Sequence, residues 1–358
     1  MSELTLMKGN EALAEAAIRA GCKCFFGYPI TPQTEISAYL SKRMPKVGGV
    51  FLQAESEVAA INMVYGCAGS GIRCMTSSSS PGISLKTEGI SYIAGADLPC
   101  VVINVQRGGP GLGGIQPSQA DYWQVTRALG HGDFHVLVFA PSTVQEMADT
   151  VTKAFDLADK YRMPAVILAD GLLGQMMEPV AFDENAEIKM SDASNKPWAA
   201  CGHKNKREHN IINSLYLQAS ELEDKVKARF ERYEQVKANE RMAENYKCDD
   251  AEIVVAAYGS VARLAKSAVE LARKEGIKAG VFRPITLWPY PDKEINEACK
   301  NAKKVLVVEM SMGQMVDDVK LALNCSKPVE FFGRTGGVIP SPAEILNKIK
   351  EMTGKGDK

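Results

Sequence analysis

The sequence predicts an α/β protein: a doubly wound parallel-sheet unit followed by a second α/β unit. Three observations carry this reading. Short apolar runs alternate with helical segments at the rhythm of a parallel sheet through the first half of the chain. At 358 residues the chain exceeds what one hydrophobic core usually supports. The texture turns polar after about residue 180, and the α/β rhythm resumes near residue 249. The expected division is therefore 1–183, a connector at 184–248, and 249–358.

In the first unit Asn10 is placed to cap a helix running to Ala20 and stopped by Gly21. Strand-like runs follow at 24–28, 49–53, 73–77, 99–105, 135–139 and 164–169, mostly bounded by Gly, Pro or Ser. The capping box Ser142-x-x-Gln145 opens one of the intervening helices. Ligands of such a unit collect beyond the carboxyl ends of its strands. Residues 184–213 are polar and irregular, and 214–242 carry a charged helix with Leu222, Val226, Phe230 and Tyr233 along one stripe. The pairs Glu221–Lys225 and Glu223–Lys227 add weak support. This helix reads as a connector laid across a neighbouring surface, because no heptad is sustained. In the second unit strands are expected at 252–257, 278–282, 303–309 and 329–332, with helices around 260–275, 313–324 and 341–352.

Composition narrows the function classes. Apolar content of 46% and charged content of 24% describe an ordinary globular protein. A formal charge of −1 exerts no long-range pull on nucleic acid or an anionic membrane. No apolar run approaches a membrane span, and MSELTLMKGNEAL lacks the regions of a signal peptide, so a cytoplasmic protein is expected. Nine cysteines, an odd number with no Cys-x-x-Cys, offer no ligand set for an iron–sulfur cluster or structural zinc. Most read as small buried hydrophobes. Cys67 and Cys74 fall in the candidate site region, where packing and oxygen sensitivity are both open readings. His131 and His135 are four apart, but His135 falls in a strand-like run, so the pair does not have helical ligand spacing. No metal is expected; His131 remains a lesser candidate near the site.

Four stretches carry potential chemistry. EVAAINMVYGCAGSG, residues 57–71, spaces Glu57, Ala60, Val64, Gly66, Ala68 and Gly71 along a helix that Ser56 is placed to cap. Small residues there admit another backbone or a flat ring; the plain alternative is a packed helix with a solvated first-turn Glu57. Glu55 competes for the acidic position, but the small-residue spacing fails when counted from it. In FGYPITPQTE, residues 26–35, two prolines hold a non-helical turn at a strand's carboxyl end. The Thr31 hydroxyl could there bond a small ligand, or Thr31 or Thr34 could simply cap the next helix. TSSSSPG, residues 76–82, offers hydroxyls and free amides suited to polar or anionic groups. NVQRGGPGLGGIQPSQADY, residues 104–122, contains G-x-G-x-x-G at Gly109, Gly111 and Gly114. Pro110 inside the fingerprint and Pro117 after it exclude a nicotinamide site, because no helix opens from these glycines. Arg107 stands at a strand end where a guanidinium can pair with a carboxylate, unless it is a surface arginine.

Together these stretches resemble the α-type subunit of 2-oxoacid:ferredoxin oxidoreductases. The resemblance rests on YPITP at 28–32, AESEVAA at 54–60 and QRGGPG at 106–111. ADLPCVVINVQRGGPGLGGIQPSQADY looks most like the branch acting on 3-methyl-2-oxobutanoate (2-ketoisovalerate). Residues 256–291 are similar to the carboxyl-terminal domain of transketolase-like enzymes. The resemblance implies a pyrimidine-type thiamine-diphosphate-binding fold and oxidative decarboxylation of branched-chain 2-oxoacids to acyl-coenzyme A with reduction of ferredoxin. It makes Glu57 the catalytic partner of the pyrimidine N1′, and Thr31 and Arg107 substrate contacts. Tyr28, Pro29, Ile30, Ser78 and Ser79 then join Glu57 on the cofactor side. The family's diphosphate and Mg²⁺ motif has only a partial counterpart, Ala169-Asp170-Gly171, and cluster cysteines are missing. A β subunit with the thiamine diphosphate and Mg²⁺ site and a ferredoxin-like subunit with [4Fe-4S] clusters are therefore implied. The implied assembly is a hetero-oligomer within which this chain homo-dimerises, and the chain alone is inactive. Alternatives are a 2-oxoglutarate or pyruvate enzyme, a transketolase-like subunit, or a non-catalytic scaffold. A dicarboxylate substrate would need a second cation, for which Lys86 or Arg73 would have to fold inward.

Overall fold

Backbone polar groups of four neighbouring strand ends are what the fold delivers to one place. The protein is described here by a computed structural model covering residues 4–183 and 187–354. Its first elements are β1 (Leu4–Lys8), α1 (Gly9–Arg19), β2 (Cys24–Gly27), α2 (Thr34–Arg43), β3 (Val50–Gln53) and α3 (Glu57–Gly69). There follow β4 (Cys74–Ser78), α4 (Ser80–Gly95), β5 (Cys100–Gln106), α5 (Tyr122–Arg127), β6 (Leu137–Phe139) and α6 (Val144–Tyr161). The first unit closes with β7 (Pro164–Asp170), α7 (Gly171–Gln175) and β8 (Met177–Ala181). Beyond the connector lie α8 (Ala219–Asn239), β9 (Ala243–Tyr246), β10 (Ile253–Ala256), α9 (Gly259–Lys274), β11 (Ala279–Pro284) and β12 (Thr286–Trp288). The last elements are α10 (Asp292–Ala298), β13 (Lys304–Glu309), α11 (Met315–Ala322), β14 (Val329–Gly333) and α12 (Pro342–Met352).

The main sheet has seven strands in the order β12-β6-β7-β5-β4-β2-β3, parallel except for β12. Its central strands β4, β5 and β7 are buried along their whole length, as near-continuous apolar runs flanked by helices on both faces must be. The second sheet runs β14-β13-β10-β11-β9 with β9 antiparallel, and β1 pairs β8 in a separate ribbon.

Several sequence expectations shift. Asn10 does not cap α1; Lys8 holds that position, while buried Asn10 sends its amide to the Pro32 carbonyl at 2.8 Å and to Glu35. The cap of α6 is one residue later than expected, and no reciprocal capping box forms. Thr143 accepts from the Glu146 amide, and Glu146 accepts from the Ser142 amide and hydroxyl. Gln145 is free to anchor Ala181 of β8 instead. The buried stripe of α8 runs through Arg229, Tyr233 and Val236, with Leu222 exposed, because Arg229 pairs with Asp97 at 3.0 Å on the first unit.

Strands β1, β8, β9 and β12 are not among those expected; they are short, and polar, proline-containing or confined to sheet edges. β12 extends the first unit's sheet from a segment beyond residue 249, with the Ala140 amide donating to the Ile285 carbonyl at 2.8 Å. Polar side chains continue the junction. Arg283 of β11 is bidentate to Glu146 at 2.9 Å and also reaches Glu244. Gln119 exchanges four hydrogen bonds with Tyr258 and Met310. Among the described residues no helix is long and apolar enough to cross a membrane.

Candidate active site

Strands β5, β4, β2 and β3 are adjacent in the sheet, and each releases one candidate stretch at its carboxyl end. Arg107 follows β5, Ser79 follows β4, the Tyr28–Pro29–Ile30–Thr31 turn follows β2, and Glu57 opens α3 after β3. The order of strands, not the order of the chain, gathers them.

Ser56 adopts an extended backbone and accepts from the Ala59 amide, so α3 begins at Glu57 as its capping residue dictates. Glu57 is buried at 7% exposure while Glu55 is exposed, which separates the two acidic candidates. The helix buries Glu57, Ala60, Ile61, Val64 and Ala68; Gly66 faces open space, contrary to its expected place on the packed face. The close approach comes instead from glycines of α4. A β-carbon on Gly89 would lie 2.5 Å from Ile61, and one on Gly82 would lie 2.1 Å from Ser78 Oγ and 2.8 Å from Glu57 Oε1. Glycine at 82 thus lets the Glu57 carboxylate and the Ser78 hydroxyl share one small space. Gly82→Ala is expected to cost about 1–3 kcal/mol of stability by overpacking. Thermal melts check this; an unchanged midpoint would show that the Ser78 and Glu57 side chains can give way.

The hydroxyls of Thr76, Ser78 and Ser79 are buried with no hydrogen-bond partner among the described residues. Buried hydroxyls are ordinarily satisfied, so these await a polar ligand or partner group. Ser80 is already spent: its hydroxyl donates to Asp121 at 2.6 Å and accepts from the Arg107 amide at 3.0 Å. Burial pushes the Asp121 carboxyl up, against the bonds from Ser80 and Asn104.

In the 28–32 turn the carbonyls are claimed one by one. Gln33 donates to Tyr28 and Ile30, Arg107 to Thr31 at 3.1 Å, and Asn10 and Gln175 to Pro32. Gln33 is itself held by the Ser77 hydroxyl at 2.6 Å. The turn is rigid and the Thr31 side chain is exposed toward a cavity of about 700 Å³ shared with Gln116, Pro117, Gln175 and Ile339. Arg107 is half-buried; its second terminal nitrogen donates to the Leu112 carbonyl at 3.1 Å, and its Nε has no partner. It therefore braces the turn and the glycine loop, a role its sequence position does not reveal.

The remaining candidates separate from this cluster. His131 is exposed, and His135 stacks on Trp288 at 4.6 Å between Phe230 and Tyr233, where burial lowers its pKa to about 4. Arg73 lies at the opposite end of β4, paired with Asp156 and Asp159. Asp170 caps α7 through the Leu172 and Leu173 amides and accepts from Ser260 at 2.6 Å. All nine cysteines are free; Cys74 is buried and Cys67 half-buried. Lys86 is the residue whose position the sequence reading left open. It is fully buried on α4, on the face that carries Gly82 and Gly89, with Nζ 3.4 Å from the Glu57 carbonyl. Its i+4 and i−3 spacing to those glycines was the available signal.

Two family descriptions match consecutive parts of the chain. "Pyruvate flavodoxin/ferredoxin oxidoreductase, thiamine diP-bdg" covers residues 15–247, and "Pyruvate:ferredoxin oxidoreductase core domain II" covers residues 251–345. Fold and site thus define a thiamine-diphosphate-binding domain joined to a transketolase-like α/β domain. The chain is 50% identical to the ketoisovalerate oxidoreductase subunit VorB of Methanothermobacter thermautotrophicus over 98% of each chain. It is 36% identical to the 2-oxoglutarate synthase subunit KorA of Methanothermobacter marburgensis over 98% of this chain and 100% of that one. The 2-oxoglutarate:ferredoxin oxidoreductase of Magnetococcus marinus, solved with 2-oxoglutarate, coenzyme A and succinyl-CoA, superposes with TM-score 0.84 at 26% identity. That match covers 98% of this chain and 65% of the other. A split-gene transketolase shares the fold over the full length of both chains, with TM-score 0.62 and 14% identity. The chain belongs to the 2-oxoacid:ferredoxin oxidoreductases, as an α-type subunit.

Proposed function

We propose that this chain is the pyrimidine-side subunit of a complex that oxidatively decarboxylates 3-methyl-2-oxobutanoate and related branched-chain 2-oxoacids. The products are the acyl-coenzyme A, carbon dioxide and reduced ferredoxin. A β subunit carries the diphosphate and Mg²⁺ site, and a ferredoxin-like subunit carries the [4Fe-4S] clusters. The complex is cytoplasmic, contains this chain as a homo-dimer, and loses activity when the chain stands alone. We divide the chain functionally as 1–183, 184–248 and 249–358.

The observation that carries this reading is the meeting of the buried Glu57 carboxylate with the unpartnered Ser78 hydroxyl over Gly82, with a second unpartnered hydroxyl on the adjacent Ser79. Those residues fit an aminopyrimidine, which needs a carboxylate at one ring nitrogen, hydroxyl partners and a close flat approach. Glu57 would hold the proton at the pyrimidine nitrogen, Ser78 and Ser79 would bond the ring's polar edge, and Tyr28, Pro29 and Ile30 would wall the site. Thiamine diphosphate, when bound, would supply a nucleophilic carbon and an electron sink for decarboxylation. The Thr31 hydroxyl orients the substrate's oxygen, and Arg107 uses its free Nε–H and remaining terminal N–H groups on the substrate carboxylate. Neither of the other two candidate cations serves a second carboxylate, since Arg73 is paired at the far end of β4 and Lys86 is turned to the Glu57 carbonyl. That favours a branched apolar side chain over 2-oxoglutarate.

The test is coenzyme-A-dependent viologen reduction by the anaerobically co-purified complex across a panel of 2-oxoacids. Highest kcat/KM with 3-methyl-2-oxobutanoate is expected. A maximum on 2-oxoglutarate or pyruvate would overturn the substrate assignment, and no reduction by a cofactor-replete complex would overturn the activity.

A further inference from the structure

We propose that Lys86 is a positioning residue for Glu57, anchoring the first turn of α3 and setting a positive charge beside its carboxylate. The inference rests on the proposed role of Glu57 as the carboxylate that holds the pyrimidine.

The geometry is unusual for a structural lysine. Lys86 has 0% exposure, yet its ammonium makes one long bond, 3.4 Å, to the main-chain carbonyl of Glu57. An ammonium carries three donors, and the other two find no acceptor among the described residues. Burying a charge so poorly satisfied costs stability. Even buried ion pairs are often replaceable by apolar side chains of similar volume with neutral or stabilising effect, so stability does not account for such a lysine. A cost borne against the backbone of the carboxylate proposed to hold the cofactor points to work done there.

The bond goes to the carbonyl and not to the carboxylate, which instead faces Gly82 and Ser78. A direct ion pair would occupy the oxygen that a ligand needs. Bonding the carbonyl fixes the backbone of Glu57 and leaves the carboxylate open. Burial lowers the Lys86 pKa to about 8, against the charge of Glu57 from α3, which favours protonation. On α4 itself Glu88 is turned outward to the Tyr92 hydroxyl, and Asp121 at the start of α5 is taken up by Ser80 and Asn104. The charge beside Glu57 is therefore lost progressively as pH rises through about 8.

Lys86→Met in the assembled complex tests this, with Glu57→Gln run alongside. Wild-type kcat is expected to fall as pH rises through about 8. In Lys86→Met, kcat is about tenfold lower at pH 7, KM for the 2-oxoacid changes little, and the limb near pH 8 disappears. The thermal midpoint should hold or rise. A readout independent of turnover follows from proton linkage. The folded state gives up the Lys86 proton before the unfolded state does, so the unfolded state binds more protons between pH 8 and 10. Wild-type thermal stability should therefore climb relative to Lys86→Met over that window. A lower midpoint with wild-type kcat and an unchanged pH profile would make Lys86 merely structural and overturn the proposal. Wild-type turnover in Glu57→Gln would instead remove the role of Glu57, and the role of Lys86 with it. An inactive Glu57→Gln beside an unaltered Lys86→Met profile overturns the lysine alone.

Discussion

Glu57→Gln should fold as the wild type does and turn over roughly 10²- to 10⁴-fold more slowly, the range for a positioned acid–base group. The fold is expected to survive because what starts α3 is independent of the carboxylate: Ser56 accepts from the Ala59 amide, and Lys86 bonds the Glu57 main chain. The amide is nearly isosteric and fits the same space over Gly82. It cannot, however, exchange a proton with a ring nitrogen. Glu55, exposed and two residues away, has no access to that space. Matched thermal midpoints with collapsed turnover are the expected pair of measurements. Turnover at the wild-type rate would discard the site.

Arg107→Ala is expected to lower kcat/KM for the 2-oxoacid by roughly 10- to 100-fold, the worth of hydrogen bonds to a charged group, chiefly through KM. Two effects add. The substrate carboxylate would lose its proposed cation, and the Thr31 and Leu112 carbonyls lose the donor that braces the turn against the glycine loop. Arg107→Lys should restore little, since an ammonium cannot bridge two carbonyls and a carboxylate in one plane. The KM for coenzyme A should stay within twofold or so of wild type. An effect confined to coenzyme A would show that Arg107 serves a different ligand.

Much of the fold was legible because its signals are local. Strands β4, β5 and β7 are apolar runs bounded by breakers, and each emerged within a residue or two of its expected position. The cap on α3 was readable from Ser56, and Glu57 was separable from Glu55 by the spacing of Ala60, Val64 and Ala68. The failures were of a different kind. Asn10 has the chemistry of a cap but is consumed by Pro32 and Glu35, partners 22 and 25 residues away. Gln145 lost its capping place to Glu146 because Arg283, from the second unit, holds Glu146 in position. Strand β12 is three residues long and exists because β6 offers it an open edge.

The sequence by itself determined the α/β class, the family and the four stretches that meet at the site, since periodicity, breakers and motif spacing are properties of neighbours along the chain. Only the tertiary structure decided that Gly82 brings Ser78 against Glu57, that Arg107 braces Thr31, and that Lys86 turns to the Glu57 carbonyl rather than to a substrate. Those are contacts between helices and loops brought together by strand order, and the energy of a buried side chain depends on what faces it, which no local pattern encodes.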